Sequence, residues 1–273
     1  MTNEPVRIKV TQDDPALSAR LAWFLAQPGC DWVLSPARTE GSDELSVLRI
    51  SPQGVVLQAG EEIFRFHPSM ALLRLMNIQR GETDRYLAAS GLKDGDTLYD
   101  LTLGLGTDAL VSAWAVGTDG HVVGVEKSAI IAAIVRDGLN HLGKAPVPVA
   151  SNPNKRAAWL ELKRVAPRIE VVWSDHLQFL ATKPSRAADV VYFDPMFRRT
   201  RMQSSSIRPL HRWSEHQTVT ELAVAEACRV AKRRVVLKER KGSPLFAALG
   251  FEIWPGGKYS QVDYGVIQLG KGG

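Results

Sequence analysis

Apolar and polar positions along the 273-residue chain change rhythm near residue 66. Before it, Val6-Arg7-Ile8-Lys9-Val10 alternates as a strand does. Residues 15–27 carry Leu17, Leu21, Phe24 and Leu25 at helical spacing until Pro28-Gly29 stops them. Residues 45–50 and 55–58 read as two short strands around the turn Ser51-Pro52-Gln53-Gly54. This pattern predicts a small α/β unit over residues 1–66, with residues 67–273 forming a larger domain. There the spacing predicts strands over 97–102, 121–126, 169–173, 188–194 and 234–238. Helices are expected over 72–78, 83–90, 108–116, 129–142, 154–165, 177–181 and 218–231. Such alternation builds a mostly parallel sheet covered by helices on both faces, an α/β Rossmann-like fold. Residues 251–254 and 260–269 flank Pro255-Gly256-Gly257-Lys258 and predict an antiparallel C-terminal hairpin at one sheet edge.

Composition mostly excludes. At 45% apolar and 23% charged residues, the chain reads as globular rather than disordered. Cys30 and Cys228 are too few for a disulfide framework or a zinc site of their own. No apolar run reaches the roughly 18 residues of a membrane span, and Met1-Thr2-Asn3-Glu4-Pro5 lacks a signal-peptide core, so no membrane association and a cytoplasmic location are expected. The histidines show no metal spacing; His211 and His216 are five apart, off one helical face, and no metal is expected.

The most informative segment is Asp100-Leu101-Thr102-Leu103-Gly104-Leu105-Gly106-Thr107-Asp108, which runs from an apolar strand through a glycine turn into a helix. In a parallel sheet this is the carboxyl edge, where ligands bind near the topological switch point. Gly104-x-Gly106-x-x-Ala109, with Glu126 at the next strand end to take ribose hydroxyls, fits a nicotinamide enzyme and a methyltransferase alike. Asp100 and Asp108 suit a ligand bearing ammonium and sulfonium charges better than a pyrophosphate, and Ser174-Asp175 ends the third strand where an adenine amino group would be met. That series of strand-end contacts is what S-adenosylmethionine needs.

Asp194-Pro195-Met196-Phe197 follows the fourth core strand and resembles the [Asn/Asp/Ser]-Pro-Pro-[Tyr/Phe] tetrad of enzymes that methylate exocyclic amino groups of bases. The lone pair of such a nitrogen is delocalised into the ring. A carboxylate at Asp194 and the Pro195 carbonyl can accept its N–H bonds, and Phe197 offers a stacking face worth about 1–3 kcal/mol. Met196 stands where the second proline usually is.

Residues 98–109, Val191-Tyr192-Phe193-Asp194-Pro195-Met196-Phe197 and Arg234-Val235-Val236-Leu237-Lys238 together are similar to the ribosomal small subunit methyltransferase J family, over roughly residues 45–269. The resemblance implies a class I methyltransferase that uses S-adenosylmethionine to methylate N2 of a guanine in 16S ribosomal RNA, as naked RNA or in the small ribosomal subunit. It places cofactor contacts at Thr107-Asp108, Glu126-Lys127 and Ser174-Asp175, with Asp194 at the reacting end. The family's glycine-rich basic stretch stands here as Phe66-His67-Pro68-Ser69-Met70, then Arg74, Asn77 and Arg80-Gly81, and is expected to border the RNA. A nicotinamide-dependent oxidoreductase and a non-catalytic RNA-binding or ribosome assembly factor are the competing readings.

Several features read as bland. Gly138-Leu139-Asn140-His141-Leu142-Gly143-Lys144 imitates a P-loop, but Ala145 lacks the magnesium-binding hydroxyl and the segment ends a helix. Trp114, Trp159 and Trp173 are expected in the core, and Cys228 as a buried thiol. The net charge of +5 is more telling once mapped. Residues 198–212 hold five arginines and no acid, a net +5; residues 229–241 hold a net +6, which leaves −6 for the rest of the chain. Arg198, Arg199, Arg201, Arg208, Arg212 and Lys238 are therefore expected to face RNA phosphates along a basic rim of the reacting edge.

Overall fold

A computed structural model describes residues 6–10, 15–34, 46–147, 152–195, 219–254, 257 and 260–270. The first part comprises β1 (Val6–Val10), α1 (Pro15–Leu25), β2 (Trp32–Leu34), β3 (Val47–Ser51), β4 (Gly54–Ala59) and β5 (Glu62–Phe64), in a sheet of order β2-β1-β3-β4-β5. β1 runs parallel to β2 and β3, while β3, β4 and β5 form an antiparallel meander. Periodicity missed β2 and β5 because three residues are too few to display alternation.

The second part begins with α2 (Ser69–Gln79) and α3 (Arg85–Ser90). Then follow β6 (Thr97–Asp100), α4 (Thr107–Ala115), β7 (His121–Glu126), α5 (Ala129–Lys144), α6 (Pro153–Val165), β8 (Ile169–Trp173), α7 (His176–Ala181) and β9 (Ala188–Phe193). It closes with α8 (Glu221–Val230), β10 (Ala231–Arg240), α9 (Leu245–Ala248), β11 (Glu252–Trp254) and β12 (Val262–Gln268). Side-chain caps fix the helix starts: Asp84 accepts from the Leu87 amide, Ser128 from Ile131 and Asp175 from Leu177, each satisfying an amide the helix cannot pair.

Seven strands form the central sheet in the order β11-β12-β10-β9-β6-β7-β8. β8, β7, β6, β9 and β10 are mutually parallel, and β12 runs antiparallel to β10. The C-terminal hairpin forms, but its second strand inserts inside the sheet. The edge strand β11 is antiparallel to β12 and so returns to the common direction. Strand residues alternate between two cores. Leu98, Val122, Val190, Tyr192 and Val236 pack under α2, α4, α5 and α6. Tyr99, Val123, Val125, Val191, Phe193, Val235 and Leu237 pack under α7 and α8. Chain order reverses at β6, whose neighbours are β7 on one side and β9 on the other.

The small sheet is tied to the large one through α5. Arg20 of α1 pairs with Asp137, and Arg136 donates to Gln27 at 2.8 Å and to the Val171 carbonyl at 2.6 Å. Glycines permit this close approach: a Cβ on Gly138 would fall 2.3 Å from the Phe66 ring, and one on Gly143 2.4 Å from Pro167. The glycines of the P-loop imitation are therefore contact points between elements. Trp173 is not core, being 42% exposed; its ring lies against Gly29, and its indole N–H donates to the Lys127 carbonyl at 2.9 Å.

Candidate active site

At the carboxyl ends of β6 and β9 the backbone opens into a cavity of about 810 Å³. β6 ends at Asp100, and the next residues stay in register, Leu101 donating to the Tyr192 carbonyl at 2.9 Å and Leu103 to that of Val125 at 3.0 Å. The chain then turns through Gly104 (φ 50°) and Gly106 (φ 71°), left-handed conformations that only glycine adopts cheaply. Gly106 is the N-cap of α4. On the other side of the switch point, the Asp194 amide donates to Thr102 Oγ1 at 2.5 Å, which locks the tetrad's first residue onto the glycine loop.

Four charged groups converge behind this loop. Asp108, in the first turn of α4, receives Arg74 Nη1, the Tyr192 hydroxyl at 2.9 Å and Lys238 Nζ at 3.4 Å. Lys238 also donates to Asp194 Oδ2 at 2.7 Å. Arg74 grips Asp84 with Nε and Nη2 at 2.7 and 2.9 Å, and its guanidinium stacks 5.3 Å from the Tyr86 ring centre. Burial alone would raise the Asp108 carboxyl, but Lys238 and Arg74 outweigh it and hold the group ionised, below the usual carboxylate range. Burial opposes charge on Lys238 too, and Asp108 and Asp194 more than restore it. Burial, with Asp108 nearby, raises the Asp194 carboxyl despite Lys238. Tyr264, on the cavity wall, is pushed up to about 12, chiefly by burial.

Asp100 is different. Its side chain is 1% exposed and accepts the Thr102 amide at 3.1 Å, and no cation among the described residues stands within ion-pair distance. Burial first, then the charge of Asp108, lifts its carboxyl well above the ordinary value. A buried carboxyl at a cavity wall without a counter-ion is chemically complementary to a cationic ligand.

Of the residues singled out by sequence, Asp100, Gly104, Thr107, Asp108, Asp194 and Lys238 line this one cavity, as do His67, Ser69, Met70 and Arg74 of the stretch expected to border the RNA. Gly106 stands behind them at the helix start, and Pro195 is buried directly after Asp194. Glu126 ends β7 with Oε2 accepting the Gly104 amide at 3.0 Å and Oε1 the Ser128 amide at 2.8 Å, so it buttresses the turn. Ser174 donates its amide to the Glu126 carbonyl at 3.0 Å, and Asp175 caps α7 and pairs with Lys127 at 3.7 Å. These four follow one another along the next strand ends rather than lining the cavity itself. Phe197, Arg198, Arg199, Arg201, Arg208 and Arg212 lie outside the described residues, as do His211 and His216.

Three expectations change. Asp108 is already neutralised by two cations, and among the described acids lining the cavity Asp100 is the one without an ion-pair partner. Lys238, expected on the outer rim, points inward to Asp194 because a strand alternates its faces and position 238 falls on the cavity side. Arg74, expected to border RNA, is held by Asp84 and Asp108. Tyr192, Tyr264 and Thr102 were not anticipated as site residues; the signal available for Tyr192 and Thr102 was their place two residues from Asp194 and Asp100, whereas Tyr264 enters through its register opposite Lys238 on β12. Among the described residues no cluster of His, Cys, Asp and Glu is arranged to hold a metal, and no helix is long and apolar enough to cross a membrane.

The model of the family described as "Putative SAM-dependent methyltransferase" matches residues 64–260. "Uncharacterized protein YpiP" of Bacillus subtilis is 38% identical over 205 residues, 75% of this chain and 74% of that protein. "Ribosomal RNA small subunit methyltransferase J" of Pseudoalteromonas atlantica is 30% identical over 194 residues, 68% of this chain and 70% of that protein. Among solved structures, a SAM dependent methyltransferase from Aquifex aeolicus aligns with TM-score 0.42 and 20% identity, covering 74% of this chain and all of that one.

Proposed function

The chain belongs to the ribosomal RNA small subunit methyltransferase J family of SAM-dependent methyltransferases, and from that premise we propose that it methylates an exocyclic amino group of a base in ribosomal RNA, N2 of a 16S guanine. The observation that carries this reading is the pairing of two strand ends: Asp194 is bonded to Thr102 beside the glycine turn and beside Asp100. A cofactor site and a base site thereby share one cavity.

S-adenosylmethionine fits the residues present, and when bound it supplies a methyl group on a sulfonium. Asp100 is the buried carboxyl that a cationic ligand would neutralise, and the left-handed turn at Gly104 brings backbone rather than side chains to the ligand. Glu126, at the end of β7 beside the glycine turn, would take ribose hydroxyls, and Ser174, Asp175 and Lys127 follow toward the adenine. A nicotinamide dinucleotide fits less well, because its pyrophosphate would meet the Asp100 carboxyl at this turn.

At the reacting end, Asp194 Oδ1 and the Pro195 carbonyl accept the two N–H bonds of the target amino group. This localises the nitrogen lone pair and aims it, and orientation of this kind supplies much of a transfer reaction's acceleration. As nitrogen gains the methyl group it must lose a proton, and Asp194 is the acceptor in contact with it.

The test is transfer of labelled methyl to small ribosomal subunits and to 16S RNA from a strain lacking the gene, with the product nucleoside identified by mass spectrometry. N2-methylguanosine is expected. Asp194→Ala should abolish transfer while calorimetry shows cofactor affinity within a few-fold of wild type. Transfer to neither substrate, or full activity in that variant, overturns the reading.

A further inference from the structure

Lys238 and Asp194 form an ordered row at the cavity wall. Asp194 Oδ1 and Oδ2 are two acceptors side by side, and Lys238 Nζ is a donor 2.7 Å from Oδ2. The ammonium has three N–H bonds; one goes to Asp194 and a longer one, at 3.4 Å, to Asp108, which leaves one for a ligand. We propose that Lys238 is the specificity-determining residue of this site and reads O6 of a guanine whose N1–H and N2–H are held by Asp194; this rests on the base-methylation reading above.

Hydrogen-bond complementarity makes the argument. The Watson–Crick edge of guanine presents donor, donor, acceptor as N2–H, N1–H and O6, which matches acceptor, acceptor, donor along Oδ1, Oδ2 and Nζ. An adenine or cytosine presenting its amino group to Oδ1 sets a ring-nitrogen lone pair against Oδ2. Sliding an adenine one place pairs its N1 with Lys238 but takes its amino group away from Oδ1. Leaving a buried partner unmatched is what makes such rejection strong. Two carboxylates flank the ammonium, so it stays charged and remains a donor. Lys238 thus belongs to base recognition instead of to the phosphate rim.

The experiment compares RNA bearing guanine or 2-aminopurine at the target position, using full-length wild-type protein and Lys238→Met. 2-Aminopurine keeps the amino group but lacks N1–H and O6. Wild type should prefer guanine at least tenfold in kcat/KM, the range for hydrogen bonds to charged groups. Lys238→Met should erode that preference about tenfold while Lys238→Arg retains most of it. A 6-thioguanine substrate, which weakens only the O6 acceptor, should be several-fold slower with wild type whether or not the methionine variant folds. If Lys238→Met slows both bases by one factor, or wild type treats 6-thioguanine as guanine, the inference fails and base methylation stands. If wild type methylates no guanine, both fall.

Discussion

Asp100 shows how a residue can be placed against its own stability. Its carboxyl is buried beside Asp108, and neither the Thr102 amide nor the more distant Lys238 offsets that, so folding raises its proton affinity. The sign follows by linkage: an acid whose folded pKa is raised favours the fold at low pH, and that contribution is lost as pH rises through the folded value. Asp100→Asn keeps an acceptor for the Thr102 amide but removes the charge. The variant should therefore melt higher than wild type at neutral and alkaline pH, with the difference closing toward acid. In the proposed role it should also bind S-adenosylmethionine about tenfold more weakly, since one charge-assisted contact is gone. Wild-type affinity should tighten as pH rises and Asp100 ionises, a dependence the asparagine variant should lack. Calorimetric titrations across pH check both, and a variant that melts lower at pH 8 would show that Asp100 is not held against its charge. Stability traded for a binding charge is the mark of a site residue.

Arg74 acts at the scale of elements. From α2 it holds Asp84, the N-cap of α3, and Asp108 in the first turn of α4, so one guanidinium sets three helices around the cavity. Arg74→Met fills similar volume but leaves two carboxylates short of a partner, at a cost of about 3 kcal/mol. Asp108 is held ionised by Lys238 and Arg74, so that stability is present above the ordinary carboxylate pKa and lost as pH falls through the lowered one. The difference between wild type and variant in urea unfolding should thus be full at pH 7 and shrink as pH falls below about 4. How far such elements were legible depends on how local their causes are. β7 and β8 fall on the residues that periodicity predicts, because apolar runs bounded by turns define them. β10 extends from Ala231 to Arg240, well past the expected 234–238, because Arg240 stays in register with Val262 of β12 and Ala231 with Ala188 of β9, across an irregularity at Lys232 and Arg233. Asp100, Gly104 and Asp194 were legible because a parallel sheet must bring its carboxyl strand ends to one edge. The Arg74–Asp108 and Lys238–Asp108 pairs span 34 and 130 positions and depend on how α2 and β10 pack, which no local pattern encodes.

Across the whole molecule, the basic window at 229–241 does not form one rim. β10 is ten residues long, roughly 33 Å, so its two ends lie on opposite edges of the sheet. At the amino edge Arg229 pairs with Glu226, Lys232 with Asp189 and Arg233 with Asp96, cations that neutralise part of the acidic body. At the carboxyl edge Lys238 turns into the cavity, and Arg240 and Lys241 are exposed beyond it, Arg240 with its Nε 3.6 Å from a Glu239 carboxylate oxygen. Binding to RNA through phosphates follows position, not composition. Each phosphate contact contributes a slope of about 0.7 in the logarithm of affinity against the logarithm of salt for single strands. Arg240→Gln with Lys241→Gln should therefore flatten the slope by about 1.4 and weaken binding similarly for every sequence. Lys232→Gln removes the same charge as either single change, yet from the opposite edge, and should leave the slope as in wild type. Filter binding of a 16S RNA fragment between 50 and 300 mM salt, about a sixfold range, separates these outcomes. A slope flattened by Lys232→Gln would mean that RNA engages the amino edge as well, and an unchanged slope for the double variant would mean that the cavity does not mark the face on which the substrate lies.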